Sequence, residues 1–301
     1  MDAAVEARGL VKRFGDRPVV DGVDLTVPKG AIFGFLGQNG AGKTTTLRML
    51  LGILEPDGGE RTLLGEDRPL RSAHRVGYLP EERGLYPAMS AREAIAYMGA
   101  LRGLPWAEGR RRADELLTAN GLGAHTKSKI RTLSKGMAQK VQLLATIVHQ
   151  PDLVVLDEPF SGLDPVNQEA LEQLIRAERA RGATILFSTH VMAHAERLCD
   201  ELVIIAHGRT RFTGSVDVAR RTLPTRVSLA VERPLADAAV LLPPGFGDDG
   251  AGSYRFDLPK AGLEPVLRGV LDAGAGVRDL HVERPRLHDA FMAIVADEDA
   301  K

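Results

Sequence analysis

Apolar and polar positions follow three successive patterns along the chain. Within residues 8–35 they form short β-rich segments, Val19-Val20, Val23-Asp24-Leu25-Thr26-Val27 and Ile32-Phe33, with Pro28-Lys29-Gly30 as a turn. Residues 31–36 are a continuous apolar run that predicts a buried strand, and residues 46–51 predict a helix behind it. From about Ser90 to Gln150 apolar residues recur every three or four positions, predicting helices over 91–101, 110–120 and 134–149. Gly121 and Gly123 close the second of these, and Ser134 opens the third as its N-cap. Strands at 153–156, 184–187 and 202–206 then alternate with helices at 165–181 and 191–199. That alternation predicts an α/β fold, a parallel sheet with helices on its faces.

The pattern shifts near Leu223-Pro224. Residues 227–231 and 254–258 alternate as half-exposed strands around the turn-rich stretch 243–250. Helices at 263–271 and 287–295 flank a further strand at 277–282. Two domains are expected: residues 1–222, with a helical subdomain at about 88–150, and residues 223–301, a small α+β domain with no catalytic-looking cluster.

Charge and composition narrow the partners. Lys plus Arg number 39 against 40 Asp plus Glu, a formal net charge of −1, which gives no global attraction for nucleic acid. The single cysteine, Cys199, excludes an internal disulfide and suits a reducing compartment. No apolar run reaches the length of a membrane span, and Met1-Asp2-Ala3-Ala4-Val5-Glu6 lacks the basic and apolar segments of a signal peptide. Any action on a membrane is therefore expected from the cytoplasmic face, through a partner.

The chemistry begins at Gly37-Gln38-Asn39-Gly40-Ala41-Gly42-Lys43-Thr44, which fits the phosphate-binding P-loop at every constrained position. Glycines let backbone N–H groups turn inward around phosphates, and the following helix adds its positive N-terminus. Candidate nucleotide contacts are Gly37, Asn39, Gly40, Ala41, Gly42, Lys43, Thr44 and Thr45. Lys43 can reach the β- and γ-phosphates, and the Thr44 hydroxyl can bind Mg²⁺. Downstream, Leu153-Val154-Val155-Leu156-Asp157-Glu158 is an apolar strand ending in two carboxylates. Asp157 is the candidate Mg²⁺ ligand and Glu158 the candidate base for an attacking water.

With these motifs in order, residues 5–215 resemble the nucleotide-binding subunit of ATP-binding cassette (ABC) transporters. Leu133-Ser134-Lys135-Gly136-Met137 occupies the place of the family signature, Ser161-Gly162-Leu163-Asp164 that of the D-loop, and His190 that of the switch histidine. Phe14 matches the aromatic that stacks on adenine. The resemblance implies a P-loop ABC ATPase core with an antiparallel β subdomain and a helical subdomain. It also implies ATP and Mg²⁺ as ligands, and a head-to-tail homodimer in which Ser134, Gly136 and Asp164 of one copy complete the other's site. It further implies a separate integral membrane permease, met near Leu85, Tyr86 and Met89.

Three positions depart from the family pattern. Glu81 stands where the Q-loop carries a neutral glutamine, as a further candidate Mg²⁺ ligand. Lys135 replaces a signature glycine and is expected to point to solvent, and Met137 replaces the signature glutamine. Pro80 to Pro87, the Leu-Ser-Lys-Gly-Met signature and the C-terminal extension with Arg284 to Phe291 are similar to the ATPases of ABC-2-type exporters, including sodium-efflux systems. A soluble ABC-type ATPase acting on nucleic acid or ribosomes is the alternative. Such relatives carry long insertions or two cassettes, and the span from Lys43 to Ser134 has room for neither. A P-loop kinase or GTPase would leave the signature and His190 without a role. A metal site of His190, His194 and Cys199 is a weaker reading, since no fourth ligand is evident.

Overall fold

The computed structural model of the protein describes residues 2–82 and 84–299, without the side chains of 297–299. The chain divides into two compact units, Met1–Val216 and Asp217–Lys301. In the first unit, β1 (Ala3–Phe14) and β2 (Arg17–Pro28) form a long antiparallel hairpin. Then come β3 (Ile32–Gly37), α1 (Lys43–Leu50), β4 (Gly58–Leu63) and β5 (Val76–Leu79). The helical stretch holds α2 (Ala91–Ala100), α3 (Trp106–Ala119) and α4 (Lys135–Ile147). After it run β6 (Leu153–Leu156), α5 (Pro165–Ala180), β7 (Thr184–Thr189), α6 (Met192–Leu198), β8 (Glu201–Ala206) and β9 (Arg209–Gly214).

One sheet is antiparallel, in the order β2-β1-β4. The other runs β5-β6-β7-β3-β8-β9 and is parallel except for β9. Alternate residues of its strands feed two cores. Ile32, Val154, Leu156, Ile185 and Phe187 pack with Ile95, Leu117, Val141 and Leu144 of the helices. Phe33, Phe35, Val155, Leu186 and Val203 pack with Leu47 of α1 and with Leu10, Val23 and Leu25 of the hairpin. Full burial of each such side chain favours the fold by ~1.5–3 kcal/mol. The loops that leave β3, β6 and β7 all emerge at the sheet's carboxyl edge, where open α/β sheets bind ligands.

Two helix starts differ from the sequence pattern. α3 begins at Trp106, four residues before the apolar period becomes visible. Its first turns are held by charge: Glu108 takes ion pairs from both Arg111 and Arg112, which keep its carboxyl down at about 2. α1 begins at Lys43, directly after the left-handed Gly42, because the loop's last glycine is itself the N-cap. The expected cap at α4 is in place, the Ser134 hydroxyl accepting from Met137 N, and Ser90 with Glu93 adds a reciprocal capping box at α2 that the sequence reading did not anticipate.

In the second unit follow α7, which straddles the division at Val216–Arg220, β10 (Arg226–Val231), α8 (Ala238–Leu241) and β11 (Gly247–Gly250). Next are β12 (Ser253–Asp257), α9 (Glu264–Asp272), β13 (Val277–Glu283) and α10 (Leu287–Asp299). The antiparallel order β11-β12-β10-β13 makes β10 to β13 a split βαβ sandwich. Val227, Leu229, Val231, Tyr254 and Phe256 form its core with Val266 and Val270 of α9. β11 lies inside the stretch that reads as turns. It is four exposed residues, Gly-Asp-Asp-Gly, that pair with β12 and carry no apolar signal.

His149, just after α4, ties the helical stretch to the sheet, its Nε2 lying 3.2 Å from Val76 O. Burial, reinforced by Arg102, Arg181 and Arg112, pushes its pKa down from 6.5 to about 4 despite that bond. The unfolded chain therefore takes up the proton first as pH falls from 6.5 towards 4, and stability declines across that window. We expect the decline in urea midpoint over that window to be shallower in His149→Gln than in the parent protein. Equal declines would remove His149 from the account.

Candidate active site

The P-loop leaves the carboxyl end of β3, between β7 and β8. Its glycines are there for room. A Cβ on Gly37 would lie 2.7 Å from Ile205 O, and one on Gly42 would lie 2.7 Å from Val19 O of the hairpin. Gly40 and Gly42 also have φ of +81° and +98°, where L side chains are strained. The turn is closed by Ala41 N donating to Gln38 O, and by Thr46 Oγ1 and N donating to Gly42 O. Thr44 and Thr45 follow on the first turn of α1, half-buried. Asn39 and Gly40 are exposed at the loop's crest, while Ala41 is buried.

Lys43 is 6% exposed. Its Nζ donates to Gly37 O (2.9 Å) and Gln38 O (3.2 Å) and lies 3.1 Å from Glu158 Oε1. That last approach is an ion pair by distance, without hydrogen-bond alignment. Glu158 Oε2 lies 3.0 Å from His190 Nδ1, at the end of β7. One carboxylate thus stands between the P-loop cation and a half-exposed imidazole that faces solvent.

Asp157 and Glu158 follow directly on β6 and are 1% and 7% exposed. Ser188, a polar residue inside apolar β7, serves both. Its Oγ donates to Asp157 Oδ1 (2.6 Å) and accepts from Glu158 N (2.9 Å). Asp157 Oδ2 is buried with no hydrogen-bond partner among the described residues. A buried anionic oxygen with free lone pairs, together with the Thr44 hydroxyl, is a hard oxygen donor set that fits Mg²⁺. Tyr78 on β5 joins this side of the site, its phenol pKa raised by burial and then by the Asp157 charge. Sequence reading missed Ser188 and Tyr78. The signal for Ser188 was a buried hydroxyl directly after the apolar run Ile185-Leu186-Phe187.

Ser134, Gly136 and Asp164 gather in a different place. Asp164 caps α5, its Oδ1 accepting from Asn167 N, and Asn167 Nδ2 donates to both Asp164 carboxylate oxygens. A Cβ on Gly136 would lie 2.8 Å from Asn167 Nδ2, so the signature and the D-loop touch. Lys135 is exposed, yet its amine lies over Gly162, covering the D-loop instead of standing free. Met137 turns into the helical core. Among the described residues, no hydrogen bond or ion pair joins this patch to Lys43 or Glu158.

The remaining candidates lie at the margins. Phe14 is 55% exposed at the tip of the hairpin that backs Gly42, with Lys12 Nζ 6.0 Å from its ring centroid. Glu81 is exposed and makes no hydrogen bond or ion pair with a described residue, while its loop is tied down by Gln142 Nε2 donating to Glu82 O. His190, His194 and Cys199 do not converge. His190 faces Glu158, His194 stacks on Phe160, and Cys199 packs against Gly34 with its thiol pKa raised by burial.

Residues 20–161 match the family described as ABC transporter. The ABC transporter ATP-binding protein YhaQ of Bacillus subtilis is 36% identical over 94% of this chain and 95% of its own length. The daunorubicin/doxorubicin resistance ATP-binding protein DrrA of Streptomyces peucetius is 34% identical over 97% of this chain and 92% of its own. A Nod factor export ATP-binding protein I of Burkholderia lata is 42% identical over 69% of each. A solved ATP-binding subunit of an ABC transporter is 35% identical, with a TM-score of 0.67 over 73% of this chain and 92% of that one.

Ser188→Ala would leave a buried Asp157 oxygen and the Glu158 N–H without their partner. We expect it to destabilise the protein by ~1–3 kcal/mol in urea unfolding and to slow nucleotide hydrolysis. Unchanged stability and unchanged turnover together would contradict the bridging role.

Proposed function

The chain belongs to the ABC transporter family and is an ATP-hydrolysing motor of a membrane transporter, and from that premise we propose how its parts divide the work. The observation that carries the reading is the separation of two half-sites. P-loop, Asp157, Glu158 and His190 form one, and Ser134, Gly136 and Asp164 form the other. A signature patch without a partner in its own chain calls for a second copy. Two chains close head to tail, each P-loop facing the other's signature, because ATP bridges both copies only in the closed state.

Within each site the P-loop N–H groups and the α1 N-terminus cradle the phosphates, and Lys43 leaves its carbonyl partners for the β- and γ-phosphates. Phe14 stacks on adenine, for ~1–3 kcal/mol. Thr44 and Asp157 would hold Mg²⁺, which would supply positive charge to offset that of the phosphate oxygens. Glu81 sits in the loop after β5 as an additional carboxylate facing that region. Glu158 orients the attacking water and takes its proton, and His190 holds the Glu158 carboxylate and meets the γ-phosphate. Closing stabilises one shape of the pair, and hydrolysis releases it.

Among the described residues, no helix is long and apolar enough to cross a membrane. Transport is therefore assigned to a separate permease, with this chain at the cytoplasmic face of the membrane. Tyr86, exposed and edge-on to Tyr97 at 5.5 Å, together with Leu85 and Met89, supplies the apolar surface for it. The export and resistance proteins among its relatives favour an exporter. The formal charge of −1 favours no nucleic-acid partner.

Two outcomes test the reading. Glu158→Gln should lower kcat by ~10²–10⁴-fold while retaining ATP, and should form a dimer with ATP and Mg²⁺ in light scattering. A persistent monomer at saturating ATP would count against head-to-tail closure. Tyr86→Ala should keep ATP affinity and hydrolysis but lose transport in membranes with the permease. Full transport by that variant would sink the docking assignment.

A further inference from the structure

Glu158 has φ of +46°, a left-handed conformation that is uncommon outside glycine. Such a conformation is strained and persists only where its surroundings over-determine it. Part of that hold is the pair of contacts already described, Ser188 on its N–H and His190 on its carboxylate. Ser161 N also donates to Glu158 O (3.1 Å), and a further hold lies two residues on. Phe160 is buried with its ring flat on His194, centroids 3.9 Å apart and planes 7° from parallel. Its edge meets Phe187 of β7 at 6.0 Å.

His194 is itself pinned. It is 4% exposed on α6, four residues after His190. Its Nδ1 lies 3.0 Å from Arg197 Nη2 and 3.3 Å from Glu172 Oε1, and Arg197 Nε and Nη2 both donate to Glu172 Oε1. Nδ1 cannot serve both neighbours in one way. Burial, the largest influence on the ring, lowers its pKa, and the ring sits between the Arg197 guanidinium and the Glu172 carboxylate. α5, α6 and the β6 loop are thereby locked through one imidazole. The segment 190–194 grips Glu158-Pro159-Phe160 at both ends, His190 at the carboxylate and His194 at the ring.

We propose that His194 is a positioning residue for hydrolysis: its ring, stacked on Phe160, holds Glu158 in the left-handed conformation that places its carboxylate between Lys43 and His190. The proposal rests on the reading of Glu158 as the base. Loss of the stack lets the 158–160 segment relax towards an unstrained backbone, which moves the carboxylate without touching the phosphate cradle.

The test is steady-state ATPase kinetics on His194→Ala, His194→Phe, Glu158→Gln and the His194→Ala/Glu158→Gln double variant, each with its thermal midpoint. His194→Ala should lower kcat by ~10–100-fold, the scale of a displaced catalytic group, with KM within about threefold of the parent. His194→Phe, which keeps a flat ring, should recover most of kcat. In the Glu158→Gln background, His194→Ala should cause no further loss in single-turnover hydrolysis. A His194→Ala kcat within about twofold of the parent would overturn the proposal, and so would an equal loss in the Glu158→Gln background. Failure of His194→Phe to recover kcat would do the same. A Glu158→Gln protein that hydrolyses ATP normally would instead overturn the underlying reading of Glu158.

Discussion

The carboxylate of Glu158, standing between Lys43 and His190, is the interaction on which the functional part of this fold depends. It joins three strands, since Lys43 follows β3, Glu158 ends β6 and His190 ends β7. Two of these groups are nearly buried, and a buried charge is tolerated only when paired and hydrogen-bonded. The surrounding order follows from that demand. Gly37 and Gly42 let the backbone pass close enough for Lys43 to fold inward, and Ser188 satisfies the backbone of the strained Glu158. As the proposed base, a carboxylate held this way is aimed in advance, so little reorganisation is left for the moment of reaction.

The same geometry underlies the proposal that a second copy completes the site. The parallel sheet brings the P-loop, Asp157 and Glu158 to one edge. The signature and D-loop sit on the first turns of α4 and α5, held by Asn167 and covered by Lys135. Their exposed N-terminal ends suit a phosphate, and among the described residues no hydrogen bond or ion pair joins them to Lys43 or Glu158. The small split βαβ unit has its own core in Leu229, Tyr254, Phe256 and Val270.

Legibility in the sequence tracked the range of the physics. The P-loop, the Ser134 cap and the strand ending in Asp157-Glu158 were readable because backbone sterics and local capping fix their spacing. The start of α3 was not, because ion pairs from Glu108 to Arg111 and Arg112 replace an apolar stripe there. β11 escaped for a related reason: Gly-Asp-Asp-Gly owes its extended form to β12. Ser188 meets the Glu158 N–H, and His194 the Phe160 ring, from far along the chain, and only the packed sheet reveals these meetings. His194 and Cys199 invited a metal reading on spacing alone, and the structure gives each a different neighbour.

The central claim is that each hydrolytic site is shared between two copies, and a mixing experiment tests it most directly. A Lys43→Ala copy has a ruined cradle but an intact signature, and a Ser134→Arg copy has the reverse. Each alone should be inactive. Mixed, they should regain ATP hydrolysis, because one of the two interfaces then pairs an intact P-loop with an intact signature. Mixtures as inactive as either variant, under conditions where the two copies are shown to associate, would contradict a shared site and place all of the chemistry within one chain.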